Sequence, residues 1–360
     1  MKIALLLPAN KFFCPYSAIY EKILIKAKIH YDIISWNKND IVEDVDYSFN
    51  FKIRNSDNFI KKNIGYFKYS RFLKKIIKKN EYDKLIVFGP QIGIFIYPFL
   101  KKYYSNKIIF DYRDLSIDMY FPTIFKNLLK ISNLRIISSP GFERILPKGF
   151  QYILSHNFNI DILRETVNKS NVDFLTNKMR ILTIGALRNF DQSLELIEEF
   201  ANDDNIILDF VGKGTATEPL KEYTLMNKIN NVFFTGYYDK KDESSYFLSS
   251  SFINIYYPRI LSHDTALSNR FYNAIIYCRP MITTSDTIQG DFTDQYYLGI
   301  TVNNCFELKN KIIKFKEQFD EAKYLENRLG LLNKFIEDYD IFEKNIFIFL
   351  EKMELGKLDC

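Results

Sequence analysis

The sequence has few of the residues that build disulfide frameworks, metal clusters and flexible linkers. Its four cysteines, Cys14, Cys278, Cys305 and Cys360, stand far apart without paired spacing. This argues against a zinc site or a disulfide scaffold and favours a reducing compartment. The three histidines are equally dispersed, so they indicate no metal-binding cluster. With only 13 glycines and 10 prolines in 360 residues, collagen-like and linker-rich chains are excluded.

Long apolar runs are also missing. The longest uncharged stretch, 85–100, contains two prolines and falls short of the roughly 20 apolar residues that a membrane-spanning helix needs. Its pattern favours a buried strand, a turn and the start of a helix. Only five apolar residues stand between Lys2 and Pro8, fewer than the roughly seven that a signal peptide requires. We therefore expect a soluble cytoplasmic protein.

What the sequence does contain is a regular alternation of strand and helix patterns. Hydrophobic residues make up 47% of the chain and charged residues 26%, a globular balance at a length that suits two domains. The alternation restarts after a polar stretch at 157–178, and it is typical of βαβ units with parallel sheets. Strands are predicted at 2–7, 31–36, 84–89, 107–112, 134–139, 152–157, 179–185, 206–212, 231–236, 251–258 and 280–284.

These patterns predict an α/β chain with two Rossmann-like domains facing across a cleft, and C-terminal helices within 305–355. The predicted boundaries are 1–160 for the N-terminal domain and 161–340 for the C-terminal domain. Residues 341–360 are predicted to form a helix that packs back on the N-terminal domain. In open α/β sheets the ligand binds beyond the carboxyl ends of the strands. The residues that follow those ends are therefore the candidates for chemistry.

A basic amphipathic helix is predicted at 61–79, which is rich in lysine and arginine and has no acidic residue. It is either an ordinary surface helix or a face that binds anionic lipid headgroups. The second interpretation would place a cytoplasmic protein peripherally at the inner face of the cell membrane. Nucleic acid is not expected as a partner, because no helix-turn-helix, RNA-binding sheet or zinc motif accompanies the basic residues.

Two glycine-containing turns follow strands of the second half. In the turn that starts at Gly185, a glycine allows close approach of an anion to backbone amides, and Arg188 can grip a phosphate in bidentate fashion. The turn at 212–215 adds Lys213 and Gly214 after the next strand. Each turn can equally be a plain strand-to-helix connection with a solvated basic side chain.

The segment Leu267–Thr284 carries the strongest pattern. Ser268 is a predicted N-cap, and Asn269 and Arg270 fall in the first turn of a helix at about 268–278. A helix N-terminus with a cation beside it is suited to anion binding. One face of this helix is predicted to be apolar, and its members are Leu267, Phe271, Ala274, Ile275 and Cys278.

Residues 269–282 resemble the donor-binding segment of GT-B glycosyltransferases, close to glycosyltransferase family 4 and its relatives in capsule and surface-polysaccharide biosynthesis. The order of other pieces is also similar to that family: Ser-His-Asn at 155–157, the turns at 185–188 and 212–215, and Asn-Val-x-Phe-x-Gly at 231–236. The resemblance implies an N-terminal acceptor domain and a C-terminal domain that binds a nucleotide-diphosphate sugar.

The chain departs from that family at its acidic positions. Many members carry two glutamates eight positions apart, and here those positions hold Thr265 and Asn273. Asp264 can substitute for the first acid, and Asn273 can still hydrogen-bond ribose hydroxyls. The family's usual glycine near the helix end is Cys278, which predicts a slightly different turn.

The resemblance implies transfer of a sugar to a saccharide acceptor, in capsular or other surface-polysaccharide biosynthesis and on a polyprenyl-linked intermediate. The family's basic loop positions fall on Ala186 and Asp191, so we expect Arg188, Lys213 and Arg270 to stabilise the departing diphosphate. No metal and no other cofactor is then required. A GT-B-fold nucleotide-sugar epimerase, and a non-catalytic partner that binds nucleotide sugar or membrane, remain alternatives.

The acceptor is expected to meet the N-terminal domain near Asp111 and Asp114, which stand at a strand end. If the reaction inverts the anomeric centre, either can be the general base. The other interpretation of this stretch is a structural ion pair with Arg113. His156 is predicted to be a core or hinge residue, and His263 to lie near the donor sugar.

Overall fold

The computed structural model describes residues 1–54, 57–167, 172, 176 and 178–351. Within it the chain divides into two compact units. The first unit consists of Met1–His156 together with the residues from Asp338 onward, and the second consists of Asn157–Glu337.

The first unit is built on a parallel sheet of seven strands in the order β3-β2-β1-β4-β5-β6-β7. Its strands are β1 (Lys2–Leu6), β2 (His30–Asn37), β3 (Tyr47–Asn50), β4 (Lys84–Phe88), β5 (Ile108–Tyr112), β6 (Leu134–Ile137) and β7 (Ile153–Leu154). Its helices are α1 (Ser17–Lys26), α2 (Phe59–Asn80), α3 (Pro90–Tyr103) and α4 (Pro122–Ile131).

The second unit repeats this plan with six parallel strands in the order β10-β9-β8-β11-β12-β13. Its strands are β8 (Met179–Ile184), β9 (Ile206–Val211), β10 (Val232–Gly236), β11 (Phe252–Ile255), β12 (Met281–Thr284) and β13 (Gly299–Val302). The helices are α5 (Ile160–Thr166), α6 (Phe190–Glu199), α7 (Thr217–Met226), α8 (Glu243–Leu248), α9 (Leu261–Thr265), α10 (Asn269–Ile276), α11 (Ile288–Gln295), α12 (Leu308–Glu317) and α13 (Glu321–Glu351).

The central strands are apolar runs because both faces of each sheet are covered. Every residue of β4 and β5 is buried, as expected for strands with helices on both sides. The uncharged stretch that starts at Leu85 forms β4, then a turn in which Gly89 has a φ of 82°, then α3 with Pro90 in its first turn. The predicted strand, turn and helix are therefore confirmed, and so is the α/β class with two parallel sheets.

The last helix, α13, contributes to the core of both units. Tyr324, Leu331 and Phe335 belong to a core cluster of the second unit, whereas Phe342 and Ile346 belong to the core of the first. Among the described residues, no helix combines the length and the apolar composition that a membrane crossing requires.

Candidate functional site

Two turns at the carboxyl edge of the second sheet pack backbone against backbone. A Cβ added to Gly212 would lie 2.0 Å from the carbonyl oxygen of Gly185, and one added to Gly214 would lie 2.1 Å from that of Leu187. Only glycine allows such an approach. The turn after β8 and the turn after β9 are therefore held together, and with them the stretches that carry Arg188 and Lys213.

The glycine amides of these turns are already engaged. The N–H of Gly185 donates to the carbonyl oxygen of Val211 at 2.8 Å, and the N–H of Gly214 donates to Oγ1 of Thr217 at 2.9 Å. These two amides are therefore not available to an anion. The glycines serve the close approach of the two turns, and any anion here must be held by side chains or by other amides.

Two basic side chains of these turns face solvent. Arg188 and Lys213 are both exposed. Neither makes an ion pair with any residue that the structure describes, although the ammonium of Lys213 lies 4.9 Å from the ring centroid of Tyr237. Tyr237 follows β10 and is 82% exposed. The turns thus present two cations that have no carboxylate partner within the described ranges.

Arg270 supplies a third cation at the same edge of the sheet. Its Nε donates to the carbonyl oxygen of Ile184, the last residue of β8, and its Nη1 donates to that of Asn254 in β11 at 3.2 Å. The guanidinium also lies 5.5 Å from the ring centroid of Tyr257. In this sheet β8 and β11 are the pair at which the strand order reverses, where open α/β sheets bind their ligands.

The start of α10 is fixed as its sequence predicts. Ser268 is the N-cap, and its Oγ accepts a hydrogen bond from the N–H of Phe271 at 3.3 Å. The same hydroxyl donates to Oε1 of Gln289 at 2.7 Å, and the amide oxygen of Asn269 accepts from Nδ2 of Asn157 at 2.7 Å. Ser268 and Asn269 therefore hold the helix start in place, and the charge at this helix start comes from Arg270.

Asp264 and Thr265 are not free for the donor roles expected of them. Asp264 accepts two hydrogen bonds from the Arg259 guanidinium, at 2.9 and 3.3 Å, and this contact raises the pKa of Arg259. Thr265 is buried, and its hydroxyl donates to the carbonyl oxygen of Leu261 at 2.7 Å. Each side chain is thus already engaged within its own segment, which disfavours both assignments.

The carboxylate that contacts Asn273 is that of Glu243, which the sequence analysis missed. Its carboxylate accepts from Nδ2 of Asn273 at 3.3 Å, from the hydroxyl of Tyr238 at 3.2 Å and from the ammonium of Lys240. Burial and the neighbouring Glu243 charge raise the pKa of Tyr238 to about 12, while the charge of Arg270 opposes this shift. An acidic residue in the first turn of a helix is ordinary, so the sequence held no signal for this contact.

In the first unit, Asp111 forms a buried structural ion pair. Its oxygens accept from Nε and Nη2 of Arg113 at 2.6 and 2.7 Å and from the hydroxyl of Tyr20 at 2.6 Å. Arg113 also binds the carbonyl oxygen and hydroxyl of Ser155. Burial alone would lower the pKa of Arg113, but the charge and hydrogen bonds of Asp111 raise it instead. A base role for Asp111 is therefore disfavoured.

Asp114 is the carboxylate that remains open near the end of β5. It is exposed, and no hydrogen bond or ion pair joins it to another residue of the described chain. The protein atoms around its carboxyl nevertheless desolvate it and raise its pKa, and the charge of Arg113 only partly offsets this effect. Of the two aspartates at this strand end, only Asp114 combines access with a pKa shifted toward neutrality.

The chain resembles known proteins in its fold and not in its sequence. No family model matches it, and no curated protein sequence matches it. Sucrose-phosphate synthase from Thermosynechococcus elongatus superposes with a TM-score of 0.71 at 14% identity, over 99% of this chain and 100% of its own. The chain has the GT-B fold.

Other GT-B structures agree. A glycosyltransferase from Rickettsia africae superposes with a TM-score of 0.66 at 15% identity, over 97% of this chain and 98% of its own. HepE from Anabaena, solved in complex with UDP, gives a TM-score of 0.62 at 13% identity, over 98% and 100% of the two chains. At these identities the likeness establishes the GT-B fold, and the activity must be argued from the side chains.

The remaining candidate residues of this GT-B chain have structural contacts. His156 is buried, and its Nε2 lies 2.9 Å from Oδ2 of Asp338. Nδ1 of His263 lies 3.2 Å from the carbonyl oxygen of Pro258. Within the described ranges, no group of three or more His, Cys, Asp and Glu side chains is placed to hold a metal ion.

Proposed function

We propose that the protein is a glycosyltransferase that moves a sugar from a nucleoside-diphosphate sugar to a saccharide acceptor. The observation that carries this proposal is the position of Arg270, which joins the ends of β8 and β11 where the strand order reverses. Because the same edge presents Arg188 and Lys213 with no carboxylate partner among the described residues, this region of the second unit suits a ligand with two phosphates.

The chemistry follows from where charge develops. When the bond between the anomeric carbon and the donor oxygen breaks, the nucleoside diphosphate leaves with an added negative charge. Preorganised cations stabilise that charge in the transition state, and we assign this role to Arg188, Lys213 and Arg270 without a metal. The acceptor hydroxyl forms the new bond to the anomeric carbon, and in an inverting reaction Asp114 takes its proton.

We assign the nucleoside to the side of the site that carries Glu243. A carboxylate and a side-chain amide together can accept and donate hydrogen bonds to ribose hydroxyls. Glu243 and Asn273 are in contact there, and the exposed ring of Tyr237 lies beside Lys213. This pair would replace the acid that the related family carries at the position of Asn273.

The proposal is tested by binding and turnover measured separately. UDP, GDP and CMP are added in thermal-shift experiments, in which a ligand at 100 times its Kd stabilises the protein by about 2.7 kcal/mol. Release of the nucleoside diphosphate from the matching sugar donor is then measured with and without saccharide acceptors. We expect stabilisation by one nucleoside diphosphate and acceptor-dependent release.

The alternatives give different results. Stabilisation without release would favour a non-catalytic nucleotide-sugar-binding partner, and conversion of the donor to its epimer would favour an epimerase. If no nucleotide stabilises the protein, the proposal is wrong.

We further propose that the acceptor is a surface-polysaccharide intermediate linked to a lipid, and that α2 contacts the inner membrane surface. Three apolar side chains of α2, Ile60, Ile64 and Phe67, are exposed at helical spacing, with Phe67 56% exposed. Around them lie exposed lysines and the one arginine of α2, Arg71, whose guanidinium is 5.5 Å from the Phe67 ring centroid. An apolar stripe bordered by cations is typical of helices that lie in the membrane interface.

Cosedimentation with vesicles tests this role of α2. The protein should sediment with phosphatidylglycerol vesicles and much less with phosphatidylcholine vesicles. Two variants should reduce this binding: Phe67→Ser, and replacement of four basic residues of α2 by glutamine. The matched control replaces four exposed lysines elsewhere. The first set is Lys61, Lys68, Arg71 and Lys75, and the control set is Lys126, Lys228, Lys314 and Lys344. Equal sedimentation of wild type and both α2 variants would leave α2 as an ordinary surface helix.

A further inference from the structure

A lysine of the first unit lies in a closely fixed position just past the end of β2. The N–H of Lys38 donates to Oδ1 of Asn10 at 3.1 Å, and its carbonyl oxygen accepts from the N–H of Ile53 at 3.2 Å. Asn10 is fully buried and also donates to Oδ1 of Asn37 at 2.7 Å. These contacts join the loop after β1 to the loop after β2 and fix the backbone of Lys38.

The ammonium of Lys38 lies between two aromatic rings. Its Nζ is 4.4 Å from the ring centroid of Trp36 and 5.2 Å from that of Tyr66, and the two rings are nearly perpendicular at 89°. Trp36 is fixed in turn, because its Nε1 donates to the carbonyl oxygen of Phe51 and its ring packs against Gly65 of α2. The aromatic corner is therefore a rigid part of the fold.

This cation has no anionic partner among the residues that the structure describes. Burial lowers the pKa of Lys38 to about 8, and no carboxylate lies within ion-pair distance of it in the described ranges. Two titratable neighbours of Lys38 are uncharged at neutral pH, because burial raises the pKa of Tyr66 to about 12 and that of the Cys14 thiol to about 11. The Nζ of Lys38 donates to the hydroxyl of Tyr66 at 3.5 Å, which is a neutral acceptor. Charged groups removed from water are normally paired with an opposite charge, so this hydroxyl and the aromatic rings compensate Lys38 only in part.

A carboxylate oxygen in the same loops has no hydrogen-bond donor among the described residues. Oε1 of Glu43 accepts from the N–H of Phe12 at 3.0 Å, whereas its Oε2 is buried and has no hydrogen-bond donor among the described residues. Lys38 and Glu43 are both held by the loop after β1, Lys38 through its N–H to Asn10 and Glu43 through the N–H of Phe12, so the two residues border one region. That region needs both an anion and a hydroxyl donor, and a sugar phosphate has both.

We propose that this region is an acceptor subsite in which Lys38 binds a phosphate group and Glu43 accepts a hydrogen bond from a hydroxyl of the same molecule. That the bound molecule is the acceptor rests on the proposed function. That Lys38 and Glu43 bind a sugar phosphate does not depend on it. Lys38 follows β2 and Asp114 follows β5, three strand spacings away in the sheet, or about 14 Å. The phosphate therefore lies away from the hydroxyl that reacts.

The only tryptophan of the chain, Trp36, reports on this site directly. Its fluorescence is followed while glucose 6-phosphate, inorganic phosphate, glucose or phosphatidylglycerol vesicles are added at constant ionic strength. We expect a saturable change with glucose 6-phosphate and none with glucose. If only the vesicles change the Trp36 fluorescence, Lys38 still binds a phosphate, and that phosphate belongs to a lipid headgroup.

Variants separate this site from general effects of charge. Lys38→Met should weaken binding of the responding phosphate probe at least about tenfold, because a hydrogen bond between charged groups is lost, whereas Lys38→Arg should retain it. Glu43→Gln should weaken the binding of glucose 6-phosphate more than the binding of inorganic phosphate. Lys102→Met is the matched control, since Lys102 is exposed and lies 5.1 Å from the Tyr103 ring centroid.

Two results would overturn the proposal: no saturable response of wild type to any phosphate probe, or equal dissociation constants for wild type and Lys38→Met. Circular dichroism establishes that each variant is folded. Because these titrations contain no nucleotide and need no turnover, a negative result would not bear on the proposed donor site of the second unit. Likewise, a failure to bind nucleotide would not bear on the result at Lys38.

Discussion

Arg188 and Arg270 carry the same charge but differ in what holds them. The Arg270 guanidinium is bound to two strand-end carbonyl oxygens, so its position is set before any ligand arrives. Arg188 is exposed and has no described ion-pair partner, so it is free to close on a phosphate. A fixed cation with a movable one suits a leaving group whose charge grows during the reaction.

Alanine substitutions should separate these two roles. Arg188→Ala should lower kcat/KM about ten- to a hundredfold, since a hydrogen bond to a charged group contributes about 1.5–3 kcal/mol, and should leave the Tm unchanged. Arg270→Ala should lower both quantities, because it also leaves the carbonyl groups of Ile184 and Asn254 without their donor. Arg180→Ala is the control: Arg180 lies at the other end of β8 and pairs with Asp209 at 2.8 Å. Wild-type kcat/KM in both site variants would contradict the assignment.

The two aspartates near the end of β5 should respond in opposite ways. Asp111→Asn should destabilise the protein by about 3–5 kcal/mol, because it leaves the buried Arg113 charge unpaired. Asp114→Asn should abolish most of the turnover of an inverting enzyme. It should not lower stability at pH 7, because a carboxyl whose pKa is raised by folding contributes stability only at low pH and loses it as pH rises through that pKa.

The effects of both substitutions are measured by urea unfolding and by initial rates as a function of pH. The rate should fall as pH drops through the raised pKa of Asp114, because the base must be ionised. If Asp114→Asn is fully active, the base lies elsewhere.

At the scale of elements, local patterns in the sequence predicted most of the fold. Continuous apolar runs revealed the buried strands, and the N-cap at Ser268 with its apolar spacing revealed α10. The sequence analysis missed β3 and β13. β3 is a four-residue edge strand with alternating exposure, and β13 is a four-residue strand that starts at Gly299. Such short strands depend on their neighbours more than on their own pattern.

The site was harder to predict because its contacts join distant segments. The basic residues could be found, since each follows a strand end or starts a helix. The carboxylates could not: Asp264 pairs with Arg259 across a loop, and Glu243 meets Asn273 thirty positions away.

The left-handed backbone of Cys278, with a φ of 56°, keeps the turn conformation that glycine would adopt there.

The close packing of the turns after β8 and β9 can be tested by adding a methyl group. Gly214→Ala should destabilise the second unit by about 1–3 kcal/mol, because the new methyl group would overlap the carbonyl oxygen of Leu187 and force the turns apart. It should also weaken nucleotide binding. Gly330→Ala in α13 is the control, since a Cβ there meets nothing within 4 Å, and it should be neutral or stabilising. Urea unfolding and nucleotide titration of both variants give the comparison, and equal behaviour would show that the turns tolerate separation.

For the molecule as a whole, the two sheets share one plan, in which the strand order runs 3-2-1-4-5-6 from the first strand of each unit. The units differ in what they carry at the carboxyl edge. The second unit has Arg188, Lys213 and Arg270, which suit a diphosphate, whereas the first has Asp114 and Lys38, which suit an acceptor.

The most direct measurement is a crystal structure of the whole chain with the nucleoside diphosphate that stabilises it in solution. We expect the two phosphates to lie at the end of β8, within hydrogen-bond distance of the Arg188 and Arg270 guanidinium groups. We also expect the ribose hydroxyls to face Glu243. A diphosphate bound elsewhere, or one that contacts neither arginine, would contradict this expectation.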